Sequence, residues 1–318
     1  MRNFLVDKFP RYFKPVFTIG TIRKKRLFSF LFAFFLTLLI AKAIEATLVV
    51  QIPVFGFHDI VNIQDTKKNL LSLQSEVKSD YYQQDLEAFL ENLVRDKYWF
   101  ISTQELYDYY LSKPHKPLPP EHRHQKKVMI TFDDGYKSVY TNLLPILEKL
   151  ENKYGKKVKV VLFINPGFIG RRGKILDKAN CQELREGFQK GFYDLQSHGL
   201  NHENLTTIPI KALDRELGQA QIQLRKCTQG LDPNGIVGSH IAYPYGAVNK
   251  EVDKYVSRYY LSGYLYNSVS LKLGFFGVNR YRIPRLTANK KHSVQRLTTM
   301  AAGGWLRGLI RSKFKVIE

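Results

Sequence analysis

Short apolar runs alternate with amphipathic stretches along the middle of this 318-residue chain. Residues 128–132, 158–164, 193–196, 236–243 and 281–283 read as strands, and 138–152, 180–190, 209–229 and 248–257 as helices between them. Ser138 stands where the first of these helices needs a cap. Parallel strands need crossovers of about a dozen residues or more, which these intervals supply. The pattern predicts an α/β fold around a parallel sheet, closed or open. In both forms chemistry collects at the carboxyl ends of the strands. Upstream, 47–57 reads as one buried strand ending at His58-Asp59. Residues 85–96 carry helical spacing (Leu86, Phe89, Leu90, Leu93), followed by a strand at 99–101 and a helix from Thr103. Residues 62–80 read as a polar loop and 112–127 as a Pro-rich basic linker.

The amino-terminal part has a different character. Arg23-Lys24-Lys25-Arg26 precedes fifteen residues, 27–41, of which only Ser29 and Thr37 are polar. At 1.5 Å per residue such a helix covers about 22 Å of a roughly 30 Å hydrocarbon core. Lys42 can snorkel and Ala43-Ile44 add a little length, and the 26 residues before the run are long for a signal-peptide n-region, which favours an uncleaved signal anchor over 27–46. Ala41-Lys42-Ala43 also fits a small-x-small cleavage site, the alternative being a signal peptide. Both readings keep the basic segment 1–26 in the cytoplasm. Both export the chain beyond residue 46, to a periplasmic or extracellular face.

Composition narrows the partners. The net charge is +21, from 49 basic against 28 acidic residues, which raises nucleic acid, anionic lipid and acidic polymers. No helix-turn-helix, zinc-finger or RNP-like motif supports nucleic acid, and no protein partner is required. Two cysteines, Cys181 and Cys227, are too few for a disulfide scaffold or a four-cysteine zinc site. They form either one disulfide or two buried thiols. Residues 301–318, around Trp305, read as a basic amphipathic tail.

Three segments at strand ends carry chemistry. Thr131-Phe132-Asp133-Asp134-Gly135 sets two carboxylates side by side, a repulsion that a cation on one of them relieves while the other stays free as a base. His198-Gly-Leu-Asn-His202 can bring two imidazoles to one ion if the backbone turns helically. Ala242-Tyr243-Pro244-Tyr245-Gly246 is a corner able to aim a backbone N–H into a cleft. His58 also follows a strand, and an imidazole there can deliver a proton near neutral pH, the more so if Asp59 raises its affinity. His292, in a polar stretch, is its rival.

In this order the segments resemble the polysaccharide deacetylases of carbohydrate esterase family 4, the NodB homology domain. TFDDG is similar to that family's first motif, SHGLNH to its His-x-x-x-His motif, and AYPYG to its third. With Phe57-His58-Asp59-Ile60 upstream, the layout resembles exported poly-N-acetylglucosamine deacetylases over residues 47–300. The resemblance implies a single distorted (β/α) barrel that hydrolyses N-acetyl groups of a cell-envelope polysaccharide. It implies Asp134, His198 and His202 as ligands of a divalent metal, zinc first, with cobalt or nickel as alternatives. Asp133 becomes the general base, and the backbone N–H of Tyr245 part of the oxyanion site. Two departures stand out. Ala242 occupies the place of the third motif's usual Arg, for which Arg282 or Arg285 could substitute from another direction. The usual late Leu-x-His is absent. Peptidoglycan or chitin-like substrates, or a glycan-binding protein without turnover, are the competing readings.

Overall fold

Strand β6 (Lys127–Asp133) shows how the sheet sorts its side chains. Val128, Ile130 and Phe132 join one apolar cluster, while Met129 joins a second on the opposite face. Strand β7 (Val160–Ile164) repeats this, with Val160, Leu162 and Ile164 on one side and Val161 and Phe163 on the other. Both faces are covered, which is why these strands read as unbroken apolar runs. The computed structural model describes residues 19–62, 80–173, 177–274 and 277–304. Residues 1–18, most of the 62–80 loop and the tail from Trp305 onward lie outside the described residues.

The chain divides into two compact units, Met1–Val49 and Val50–Glu318. In the first, helix α1 (Ile19–Leu48) exposes every large apolar side chain from Leu27 to Ile40. Among the described residues no helix is long and apolar enough to cross a membrane. In the second unit β1 (Val50–Ile52) pairs antiparallel with β11 (Leu271–Leu273). The short strands β3 (Ile60–Val61) and β4 (Tyr81–Tyr82) pair with each other. The main sheet is parallel and runs β10 (Ser262–Tyr264), β9 (His240–Ala242), β8 (Tyr193–Ser197), β7, β6, β2 (Val54–Phe57), β12 (Leu286–Thr287). Strand β5 (Trp99–Phe100) pairs with the start of β6.

Helices cover the outer face: α2 (Gln83–Arg95), α4 (Leu144–Tyr154), α5 (Cys181–Gln189), α6 (Ile210–Cys227), α7 (Lys250–Tyr259) and α8 (Val294–Ala301). The short α3 (Thr103–Leu106) follows a capping box of Ser102 and Glu105, and Asn180 with Glu183 caps α5 in the same way. Cys181 and Cys227 are joined, tying the first residue of α5 to the last of α6 with their Cα atoms 5.4 Å apart.

The expected barrel is a curled half-barrel whose end strands, β10 and β12, do not pair with each other. One segment crosses between them instead. The Gly263 N–H donates to the Arg280 carbonyl (2.9 Å), Ile283 N–H to Gly263 (2.8 Å) and Leu265 N–H to Ile283 (2.8 Å). Three residues later Leu286 pairs with Phe55 of β2, and the Ala288 N–H donates to Gly56 (3.0 Å).

Other expectations shift for local reasons. The run 47–57 is not one strand: α1 extends to Leu48, and Pro53, which has no N–H to donate, separates β1 from β2. In 236–243 only the last part pairs. The Asp232 carboxylate accepts the Ile236 and Val237 N–H groups, and Gly238 turns the chain at φ 66°. In 281–283 only Ile283 bridges to β10. Ser138 makes no cap; its hydroxyl donates to Asp59.

Candidate active site

Period-two alternation puts Thr131 and Asp133 on the inner face with Met129, and Asp194, Gln196 and His198 on that face from β8. Three sharp turns then aim the neighbouring groups. Asp134 has φ 70°, followed by Gly135 at 63°; His202 has φ 59° and Tyr245 φ 59°. Among the described residues only two other non-glycines, Lys97 and Ser268, take positive φ. Such backbones cost about 1–3 kcal/mol each and persist where the surroundings enforce them. The His198–His202 loop is therefore not helical, yet it brings the two imidazoles to one point. Gly199 (φ 75°) and His202 bend it, and the Asn165 amide and Glu216 carboxylate hold it through the His198 carbonyl and Asn201 N–H.

Asp134 Oδ1 lies 3.5 Å from His198 Nε2 and 3.4 Å from His202 Nε2, and the three atoms fall within 4.8 Å of one another. His198 Nδ1 donates to the Ala242 carbonyl (2.8 Å). A carbonyl only accepts, so the proton sits on Nδ1 and Nε2 presents a lone pair. Asp134 Oδ1 is buried without a hydrogen-bond partner among the described residues. Two imidazole nitrogens and an orphaned carboxylate oxygen facing one point fit a divalent cation. Burial pushes His198 down to about 4 against the pull of both aspartates, so it is the neutral, ligating form. Burial alone would raise the Asp134 carboxyl, but His198, His58 and Lys178 outweigh it and lower it.

Asp133 is held differently. Arg285 Nη1 and Nη2 donate to its two oxygens at 2.6 and 2.7 Å, in a bidentate pair with both partners buried. Arg285 Nη1 also reaches Thr131 Oγ1 (2.9 Å) and Nε the Leu265 carbonyl (2.7 Å). Burial would raise the Asp133 carboxyl; Arg285, then His198 and His58, hold it well below the ordinary range. It stays ionised, with lone pairs left to accept a proton. Of the two arginines named from the sequence, Arg285 is the one paired with Asp133, whereas Arg282 pairs with Asp253 on α7 (2.8 Å).

His58 packs its ring edge-to-face on Tyr266, with centroids 5.2 Å apart. It does not draw on Asp59, whose Oδ1 accepts from Ser138 Oγ (2.5 Å) and the Ile60 N–H (3.0 Å). His292 instead accepts the Asn289 N–H at Nδ1 (3.3 Å), and its carbonyl accepts from Tyr81. Tyr245 is exposed, its ring 4.6 Å from that of His202. Sequence reasoning missed Tyr136, whose hydroxyl is pushed up by burial and then by the Asp134 carboxylate, and Lys178, whose ammonium lies 3.6 Å from the Tyr136 ring centroid. It also missed Tyr266. TFDDGY contains Tyr136, but nothing local marks the other two.

Residues 121–263 match the polysaccharide deacetylase family. A poly-β-1,6-N-acetyl-D-glucosamine N-deacetylase from Staphylococcus aureus is 26% identical over 276 residues, covering 78% of this chain and 91% of that protein. Among solved structures, a polysaccharide deacetylase from Bacillus cereus superposes with a TM-score of 0.63 at 19% identity, over 79% of this chain and 69% of that one. IcaB from Ammonifex degensii does so with a TM-score of 0.57 at 17% identity, over 79% and 97%. These likenesses to solved structures concern the fold.

Proposed function

This chain carries a polysaccharide deacetylase domain, and from that premise we propose that it removes N-acetyl groups from an N-acetylglucosamine polysaccharide of the cell envelope. The observation that carries the reading is the pairing of an ionised, Arg-held Asp133 with the open Asp134, His198 and His202 triad beside it. A glycan-binding module needs neither a free base nor an orphaned ligand oxygen. Asp134, His198 and His202 would hold a divalent ion, zinc by the nitrogen-rich donor set, with cobalt or nickel as alternatives. When bound, such an ion supplies Lewis acidity toward water and the acetamide oxygen.

The chain's own residues do the rest. Asp133 takes a proton from the attacking water, and Arg285 keeps its carboxylate ionised and aimed. The Tyr245 N–H, turned by positive φ, donates to the oxyanion. His58 protonates the nitrogen as the C–N bond breaks, leaving acetate and an amine.

The similarity to poly-β-1,6-N-acetyl-D-glucosamine deacetylases supports that polymer as substrate. A disulfide between Cys181 and Cys227 supports an oxidising, exported location. The exposed apolar side chains of α1 support its use as a signal anchor or signal peptide for residues 47–300.

The test is acetate release by the purified full chain from β-1,6-linked N-acetylglucosamine oligomers, with peptidoglycan fragments and chitin oligomers as competitors. Release should stop on chelation and return with zinc. Zinc-loaded protein that binds the oligomer and releases no acetate would overturn the reading.

A further inference from the structure

A catalytic imidazole is ordinarily held by a hydrogen bond at the ring nitrogen that does not react. His58 lacks one: its Nδ1 is buried with no partner among the described residues, and the carboxylate next to it is engaged with Ser138 and Ile60. What packs on the imidazole is the Tyr266 ring, at 5.2 Å and an interplanar angle of 80°. That ring is itself fixed on several sides. The Arg285 guanidinium lies 5.4 Å from its centroid, and the carbonyl of the preceding residue, Leu265, accepts Arg285 Nε. Gly56, two residues before His58, gives it room, since a Cβ there would stand 2.8 Å from Tyr266 Cε2. Gly246 of the third strand-end segment fits against the Tyr266 backbone, where a Cβ would stand 3.2 Å from its nitrogen.

We propose that Tyr266 is a positioning residue whose ring, through edge-to-face packing, orients the His58 imidazole to deliver its proton to the departing nitrogen. The inference rests on the reading of His58 as the acid. In the step it serves, the C–N bond of the tetrahedral adduct breaks and its electron pair stays on nitrogen. The proton from His58 makes that nitrogen a neutral amine, and acetate remains. An imidazole free to swing would present the proton only part of the time.

The claim separates two kinds of leaving group. An amine must be protonated to leave, whereas the phenolate of 4-nitrophenyl acetate leaves without help. In the zinc-loaded full chain, Tyr266→Leu should lower kcat on an N-acetylglucosamine oligomer by about 10- to 100-fold, a share of what a positioned acid supplies, with KM and metal content unchanged. Its rate on 4-nitrophenyl acetate should stay close to the parent's. The amide-to-ester ratio cancels any loss of folded protein. Tyr266→Phe, which keeps the ring, should recover most of the lost amide rate. Gly56→Ala, which drives a methyl into the ring, should reproduce the amide-selective loss.

Equal losses on both substrates would overturn the proposal, as would no loss on either, or a Tyr266→Phe variant as poor as Tyr266→Leu. A parent that releases no acetate from the oligomer refutes the deacetylase reading instead. An active parent matched by Tyr266→Leu refutes this inference alone.

Discussion

His198 and His240 are both buried on the inner face of the half-barrel, one at the carboxyl end of β8 and the other at the amino end of β9. Burial lowers both, to about 4 and about 3. Their surroundings differ. His240 Nδ1 meets Ser262 Oγ (2.6 Å) and Nε2 meets Gln104 Oε1 (3.3 Å). Beside it, Asp194 accepts from the Thr103 N–H and hydroxyl and from the Gln196 amide, at 2.6–2.8 Å. At the other end Asp134 Oδ1 and His58 Nδ1 are buried without partners among the described residues. Burial therefore does not distinguish the two regions, but satisfaction does. A closed polar network holds a scaffold together, and an open one waits for a ligand or a proton.

The largest effect expected from this contrast is at the open end. Asp134→Asn or His198→Ala should lose bound metal, measured by elemental analysis, and reduce acetate release by at least about 10²-fold. The metal-free Asp134→Asn protein should be only modestly less stable than the metal-free parent, because His198, His58 and Lys178 favour the ionised carboxylate there. A large fall in its urea midpoint would erase the distinction.

Arg285→Ala tests the one closed pair inside the site. It leaves Asp133 buried and alone, and should cost about 3–5 kcal/mol in urea denaturation. The pH dependence has a definite sign. With Arg285 the carboxyl lies below its ordinary value of 3.8, so the stability it contributes is present above 3.8 and lost as pH falls through the lowered pKa. Without Arg285, burial dominates and the carboxyl binds its proton at higher pH. The acid limb of the activity profile should move toward neutrality; an unmoved limb would mean that Asp133 is not the group titrating there.

Two smaller effects belong to the scaffold. Cys181→Ser with Cys227→Ser opens a cross-link spanning 46 residues, a loss of about 4 kcal/mol by chain entropy, with kcat unchanged. His240→Gln should cost about 1–3 kcal/mol and leave metal content and kcat alone. In the parent, the unfolded chain takes up a proton near pH 6.5 while buried His240 resists until about pH 3. Stability should fall across that window, and His240→Gln should flatten the fall. If kcat drops with either scaffold change, the two regions are coupled.

The local pattern made part of this legible. Alternation in 128–133 separates inner from outer side chains by residue type alone, and consecutive aspartates at a strand end point to a cation. The geometry brings Asp134, His198 and His202 together in agreement with that pattern. Arg285 was harder to read, because its partner Asp133 lies 152 residues away and no local spacing records such a pairing. Tyr266 leaves no signal, since an aromatic residue after a short strand reads as packing. The strands β10, β11 and β12 escaped notice because two or three residues are too few for a period to show. Helix α8 lay beyond the last recognised strand, in a stretch whose polar residues masked the buried Leu297 and Ala301.

The segment from Arg280 to Ala288 that bridges the sheet edges also has a consequence in time. Synthesis delivers the chain from its amino end, so Asp133 emerges long before Arg285. Until Arg285 arrives, the carboxylate lacks its bidentate partner and cannot be buried without a large penalty. Strands β6 to β9 can pair early, but the interior above them stays wet. Closure of the hydrophobic interior and completion of the Asp133–Arg285 pair are then one late event, and a chain halted before residue 285 remains open and exposed to proteolysis.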